Sequence, residues 1–343
     1  MACALVVGSI NMDVVNRVFA HPQPGETVAG LELAYHPGGK GANQAVAAVR
    51  SGSTVRMLAA LGDDAFSETL RQHLDAEGVD ISWVRTYPGP AGMAFITVDR
   101  HGENRIIVAG GANAKLQEAD VETAVAGGVL TGVDTLLVQN EVPAAVTRSM
   151  MRAAKQAGVR VVFNPAPVAG VTHEWMRDVD VLVVNETEAA ALTGMALPDI
   201  GRGAVAFVDI VDALLDSGAA AAIVTLGAAG LVYGTRAADA LAVTHQPLPA
   251  GQVLVRDAAL TLLHQPAFPM SVVDTTAAGD TFVGAFAAAY GSSGHLPEAL
   301  QYAAAAAALA VTRPGAQSSV PNRAEVLAFL TTAGQRAACQ GGN

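Results

Sequence analysis

Cysteine is almost absent from this chain. Cys3 and Cys339 stand near opposite ends of 343 residues, which gives no basis for a disulfide framework and points to a reducing compartment. Positive charge is scarce as well: 20 Lys and Arg stand against 31 Asp and Glu, for a formal net charge of −11, and no basic run occurs. Nucleic acid or an anionic membrane would need a positive face, so neither partner is expected. A local site can still hold an anion against that field, so a phosphorylated ligand stays open. No window approaches the roughly 18 apolar residues of a membrane span; YAAAAAALAV (302–311) reads as a buried helix. The opening MACALVVGSI has neither the basic flank nor the long apolar run of an export signal. A cytoplasmic globular protein is expected.

Several catalytic signatures are also missing. The chain has no GxxxxGK[ST] phosphate loop, and no GxGxxG follows a predicted strand. The eight histidines are scattered, with His21, His36, His101, His245 and His264 in predicted loops, so no metal cluster is expected. Neither cysteine has a histidine at a spacing that would suit thiol catalysis.

What is present is a rhythm of short apolar runs and helical patterns. The runs at 4–9, 55–62, 134–140, 160–167, 180–186 and 221–227 are continuous rather than alternating. Strands buried on both faces read this way. Helical patterns fill 43–51, 66–77, 117–126, 144–157, 186–193 and 203–217. The expected fold is α/β, three layers around a central, mostly parallel sheet. Ligands bind beyond the carboxyl ends of such strands, which brings Asn140, Glu141, Asn164, Asn185 and Gly227 to one rim. Residues 12–36 and 91–109 break the rhythm, alternating around an HGEN turn, and predict a small β lid inserted in a single domain. The segment 236–269 is also irregular, with THQPLP (244–249) loosely echoed by LHQPAFP (263–269).

Two stretches carry the chemistry. HPGGKGANQ (36–44) packs three glycines around Lys40, as phosphate loops do, but Gly-Ala-Asn follows the lysine where such a loop has Ser or Thr. VVDTTAAGDTFVGAFAAAY (272–290) runs from an apolar segment through a small-residue turn into a helix beginning near Asp280. Small residues let a backbone approach a ligand, and the free N–H groups at a helix start favour an anion. An aspartate there can act as a base, or simply as an N-cap. Lys40 and Glu141, taken alone, are equally compatible with a solvated charge and a rim carboxylate.

DTTAAGDTF resembles the C-terminal signature of the ribokinase-like (PfkB) sugar and nucleoside kinases. GSINMDVV and PGGKGANQAVAA resemble their N-terminal signature. Further pieces follow in order: PGETVAG, GDDAF, NPAPV, NETEAAALTG, TLGAAG and VTRPGAQSSVP, together spanning about residues 4–330. The resemblance implies ATP-dependent phosphorylation of D-ribose at O5. Asp280 would be the general base, and the N–H groups of Ala277, Ala278 and Gly279 an anion hole. It further implies sugar contacts from Asn11, Asp13, Gly39, Lys40, Asn43 and Glu141. Nucleotide contacts would come from Asn185, Thr225, Gly227 and Ala303, with Glu188 acting on Mg²⁺ through water. Asp274, Thr276, Ala310, Arg313, Gly315 and Ser319 match a potassium site. A homodimer through the lid is implied. The departures are Ala277 and Ala303, where relatives have other residues, and the length of 236–269. Sibling activities on deoxyribose, a ketose or a nucleoside share much of this pattern, and a sugar-binding regulator without catalysis is a further alternative.

Overall fold

A computed structural model of the chain describes residues 2–196, 198, 204–237, 248–249, 251–257 and 260–340. In chain order the strands are β1 (Cys3–Val7), β2 (Asn11–Val18), β3 (Gly30–Gly38), β4 (Thr54–Leu61), β5 (Val79–Asp80), β6 (Val84–Thr86), β7 (Gly92–Val98) and β8 (Asn104–Ala109). They continue with β9 (Thr135–Val138), β10 (Arg160–Phe163), β11 (Val181–Asn185), β12 (Ala221–Thr225), β13 (Leu231–Thr235), β14 (Val253–Asp257) and β15 (Leu260–Gln265). The helices are α1 (Lys40–Arg50), α2 (Ala65–Ala76), α3 (Glu118–Ala126), α4 (Ala144–Gln156) and α5 (His173–Met176). After them come α6 (Glu186–Thr193), α7 (Val208–Asp216), α8 (Ala278–Ser293), α9 (Leu296–Ala310) and α10 (Arg323–Gln340).

The first strand shows why the apolar runs are continuous. Ala4 and Val6 pack into one apolar cluster while Leu5 and Val7 pack into another, on the opposite face. The first cluster is completed by α1, α2, α8, α9 and α10, the second by α3, α4, α5 and α7. Three layers result, as the sequence predicts. The main sheet runs β14-β15-β13-β12-β11-β10-β9-β1-β4-β5, with β6 also paired to β4. Every pairing from β5 across to β12 is parallel. Beyond β12, the strands β13, β15 and β14 are antiparallel. The described part of 236–269 therefore includes a hairpin on the sheet edge, and residues 244–247 of the THQPLP echo lie outside the described residues.

A separate four-stranded sheet, β3-β2-β7-β8, takes in 11–38 and 92–109. Only Gly8, Ser9 and Ile10 separate the end of β1 from the start of β2, so the small sheet rises directly from the carboxyl rim of the large one. Of the apolar run before Asp274, Val272 and Val273 are 64% and 63% exposed and join no strand. Backbone bonds from the N–H groups of Val273 and Asp274 to the Val311 carbonyl hold that loop instead. Among the described residues, no helix is long and apolar enough to cross a membrane.

Candidate active site

The loop between β3 and α1 is shaped by what its glycines avoid. Gly39 has φ +90, a conformation that side chains resist, and a Cβ there would lie 2.7 Å from the Asn11 backbone nitrogen. At Gly38 a Cβ would meet the Asp13 carboxylate at 2.2 Å. The glycines thus press the loop onto strand β2 and seat Asn11 and Asp13 beside Lys40. Asn113, 1% exposed, pins Asn11: its Nδ2 donates to Asn11 Oδ1 at 2.8 Å, while its Oδ1 accepts from the Ile10 N–H. Glu141, just past β9, accepts from the Ser9 hydroxyl at 2.5 Å and from the Lys40 N–H at 3.2 Å.

Asp280 sits in the first turn of α8 and is not its cap. The cap position is Ala277, whose φ of 57 makes it the one non-glycine residue with positive φ among those described. Asp280 is 8% exposed, and both carboxylate oxygens are taken by side chains of α1. Asn43 Nδ2 donates to Oδ2 and Gln44 Nε2 donates to Oδ1, each at 3.0 Å. The turn in front of it lies at the rim, with Gly279 exposed. The Ala278 N–H donates to the Thr275 carbonyl at 3.2 Å; among the described residues, the N–H groups of Ala277 and Gly279 make no such bond.

Four carboxylates, Asp13, Glu141, Asp280 and Glu188, share their field with one ammonium, Lys40. Burial chiefly, with the neighbouring Glu141 and Asp280 carboxylates, pushes the Asp13 carboxyl up to about 7, and Lys40 opposes them. The Asp280 carboxylate chiefly, with Glu141, Glu188 and Asp13, raises the Lys40 ammonium above its ordinary value against the pull of burial. Burial raises Glu188, partly offset by the Asn185 N–H and by Lys40. Asn185 and Glu188 form a capping box on α6, with mutual bonds of 2.8 and 2.9 Å. Thr225 is the register partner of Asn185 on the neighbouring strand, and Gly227 opens the turn that follows.

A second cluster lies beside the Asp280 turn. The Asp274 carboxylate accepts from the Thr276 N–H and hydroxyl and, at 2.8 Å, from the Gly315 N–H. Burial works against them, yet these bonds hold Asp274 below the usual carboxylate range. Ala310 and Arg313 are joined by a backbone bond within the adjoining turn, and the buried Ser319 hydroxyl is committed to the Ala316 carbonyl. Ala303 is not brought to the rim. It is fully buried in the core, and the half-buried positions of that helix stretch are Ala304, Ala307 and Ala308.

A family model, the pfkB family carbohydrate kinases, matches residues 1–323. The chain belongs to this family. It is 36% identical over 326 residues to the ribokinase of Haemophilus influenzae, spanning 95% of this chain and 97% of that one. It is 32% identical over 328 residues to the deoxyribokinase of Salmonella typhi, spanning 95% and 98%. The solved structure of Arabidopsis thaliana ribokinase complexed with ribose and ATP superposes with a TM-score of 0.79 at 30% identity, covering 96% of this chain and 99% of that one. The protein is thus a ribokinase-type sugar kinase.

Around the candidate site lie residues that the sequence reading passed over: Gln44, Asn113, Gln139 and Gln317, all buried amides. Gln44 carried the one available signal, a polar side chain followed by AVAAV on the buried face of a helix.

Proposed function

We propose that this chain transfers the γ-phosphoryl group of ATP to O5 of D-ribose. Asp280 removes the proton from the O5 hydroxyl, O5 attacks the γ-phosphorus, and the bond to the β-phosphate oxygen breaks to release ADP. Charge on the transferred group is met by the N–H groups at 277–279, at the start of α8, where a helix end favours an anion. Ala278 must exchange its bond to Thr275 to take part. Asn11, Asp13, Gly39, Lys40, Asn43 and Glu141 hold the sugar hydroxyls. Asn185, Thr225 and Gly227 receive the nucleotide.

Mg²⁺, when bound with ATP, supplies neutralisation of the β- and γ-phosphates, and Glu188 acts on it through water. The oxygen-only donors around Asp274 suit a hard monovalent cation. Asp274, the carbonyls of Thr276, Ala310, Arg313 and Gly315, and Ser319 would hold K⁺, stiffening the turn beside the anion hole. Among the described residues, no group of three or more His, Cys, Asp or Glu is arranged to hold a metal.

The observation that carries this reading is the buried Asp280 carboxylate, aimed from a helix start and facing Lys40, Asp13 and Glu141. The test is a panel of pentoses, deoxyribose, ketoses and nucleosides with Mg-ATP, with and without K⁺, scored by kcat/KM. D-Ribose is expected to rank first and K⁺ to raise the rate. Asp280→Ala is expected to cost about 100- to 10,000-fold in kcat; retention of more than about a tenth of the activity removes Asp280 as base. The deoxyribokinase relative makes deoxyribose the second reading, adopted if it outranks ribose.

A further inference from the structure

We infer that Gln44 and Gln317 are positioning residues for the phosphoryl transfer, members of two hydrogen-bonded chains that fix the Asp280 carboxylate as an acceptor on both oxygens. This rests on Asp280 being the base. A carboxylate beside a primary amide is stabilised only if the amide presents its N–H₂ end, and a lone Asn or Gln can turn over. Here neither can turn without breaking a bond behind it.

On one side, Asn43 Oδ1 accepts from Gln317 Nε2 at 3.0 Å, and Gln317 Oε1 pairs with His73 Nε2 at 2.8 Å. That order makes His73 the donor. On the other side, Gln44 Oε1 accepts from Gln139 Nε2 at 2.6 Å. Gln44 Nε2 also reaches Asn164 Oδ1 at 3.3 Å, and Asn164 Nδ2 donates to the Val183 carbonyl at 2.9 Å. The Gln139 Oε1 is buried without a partner, so the orientation of Gln44 is fixed chiefly through Asn164, whose own amide is anchored on the Val183 carbonyl.

Packing does not ask for this. The contact of α1 on α8 is close enough that Gly284 faces the Gln44 carbonyl, and small apolar residues would fill it. Buried amides are costly unless paired and oriented, and Gln44, Gln139 and Gln317 are all nearly inaccessible. Their shared endpoint is the carboxylate. Asn43, its amide committed at both ends, belongs to this scaffold as well as beside the sugar.

The test compares the full-length parent with Gln44→Met, Gln317→Met and Asp280→Asn. Methionine keeps the volume and removes the donor. Both methionine variants are expected to lose about 10- to 100-fold in kcat, the cost of a misaligned reacting group, with KM for sugar and ATP little changed. A merely structural network would lower Tm and would not confine the loss to kcat. Unchanged kcat in both variants, with Asp280→Asn inactive, overturns the inference, as does a loss that falls on KM; an active Asp280→Asn overturns the base assignment instead. Gln317 lies two hydrogen bonds back from Asp280, in the short turn ahead of α10, so Gln317→Met decides the matter if Gln44→Met does not fold.

Discussion

At the scale of single residues, Asp13 shows a site working against its own fold. Its carboxyl, pushed up to about 7 by burial and by Glu141 and Asp280, binds a proton in the folded protein that the unfolded chain releases. The stability it contributes is present below the ordinary carboxylate range and is lost as pH rises toward about 7. Asp13→Asn is therefore expected to raise the Tm of the ligand-free protein at about pH 8 and to change it little at low pH, while removing sugar affinity. Thermal scans at both pH values and calorimetry with D-ribose check the two halves. In the parent, KM for the sugar is expected to fall as pH rises through about 7, since only the ionised form accepts from two hydroxyls. That Asp13 is a candidate site residue was legible in GSINMDVV. Its charge state was not, because that is set by Glu141 and Asp280, which only the fold brings near.

At the scale of elements, the site depends on how α8 begins and how closely it meets α1. Ala277 holds φ 57 without a glycine's freedom, so Ala277→Gly is expected to stabilise the protein by about 1 kcal/mol and keep activity. Denaturant melts with paired assays test both. Gly284 behaves oppositely: a Cβ would lie 2.4 Å from the Gln44 carbonyl and 2.6 Å from Ala47 Cβ. Gly284→Ala is expected to cost about 1–3 kcal/mol through overpacking and to lower kcat by displacing Gln44 from Asp280. The parallel strands were legible because burial on both faces writes an unbroken apolar run. The placement of Ala303 failed for the converse reason: six consecutive alanines carry no periodicity, so nothing in them says which face meets the core. The amide chains were hidden too, since a buried glutamine and a surface one are spelled alike and their pairing joins α1, α2, the residue after β9 and the segment before α10.

At the scale of the whole molecule, the small sheet presents apolar side chains to the outside. Leu33, Tyr35, Phe95 and Ile107 are all more than two-fifths exposed, and register and alternation set them on one face of that sheet. Contiguous apolar surface of this kind marks a covered face, and we propose that a second copy covers it. Light scattering is expected to give a dimer for the parent and a monomer for Leu33→Lys combined with Ile107→Lys; a monomeric parent removes the proposal. The alternation that made this sheet recognisable in sequence is the same property that leaves one set of its side chains without a partner.

The three-residue link Gly8–Ile10 gives that surface a mechanical meaning. Asn11 and Asp13 lie at the root of β2, and the same strand pairs with both β3 and β7 further along. The link is a fulcrum, with Asp13, the proposed sugar ligand, on the short arm and the apolar strands on the long one. Whatever tilts the outer strands tilts Asn11 and Asp13 with them, so affinity for the sugar becomes a gauge of what rests on the far side of the sheet.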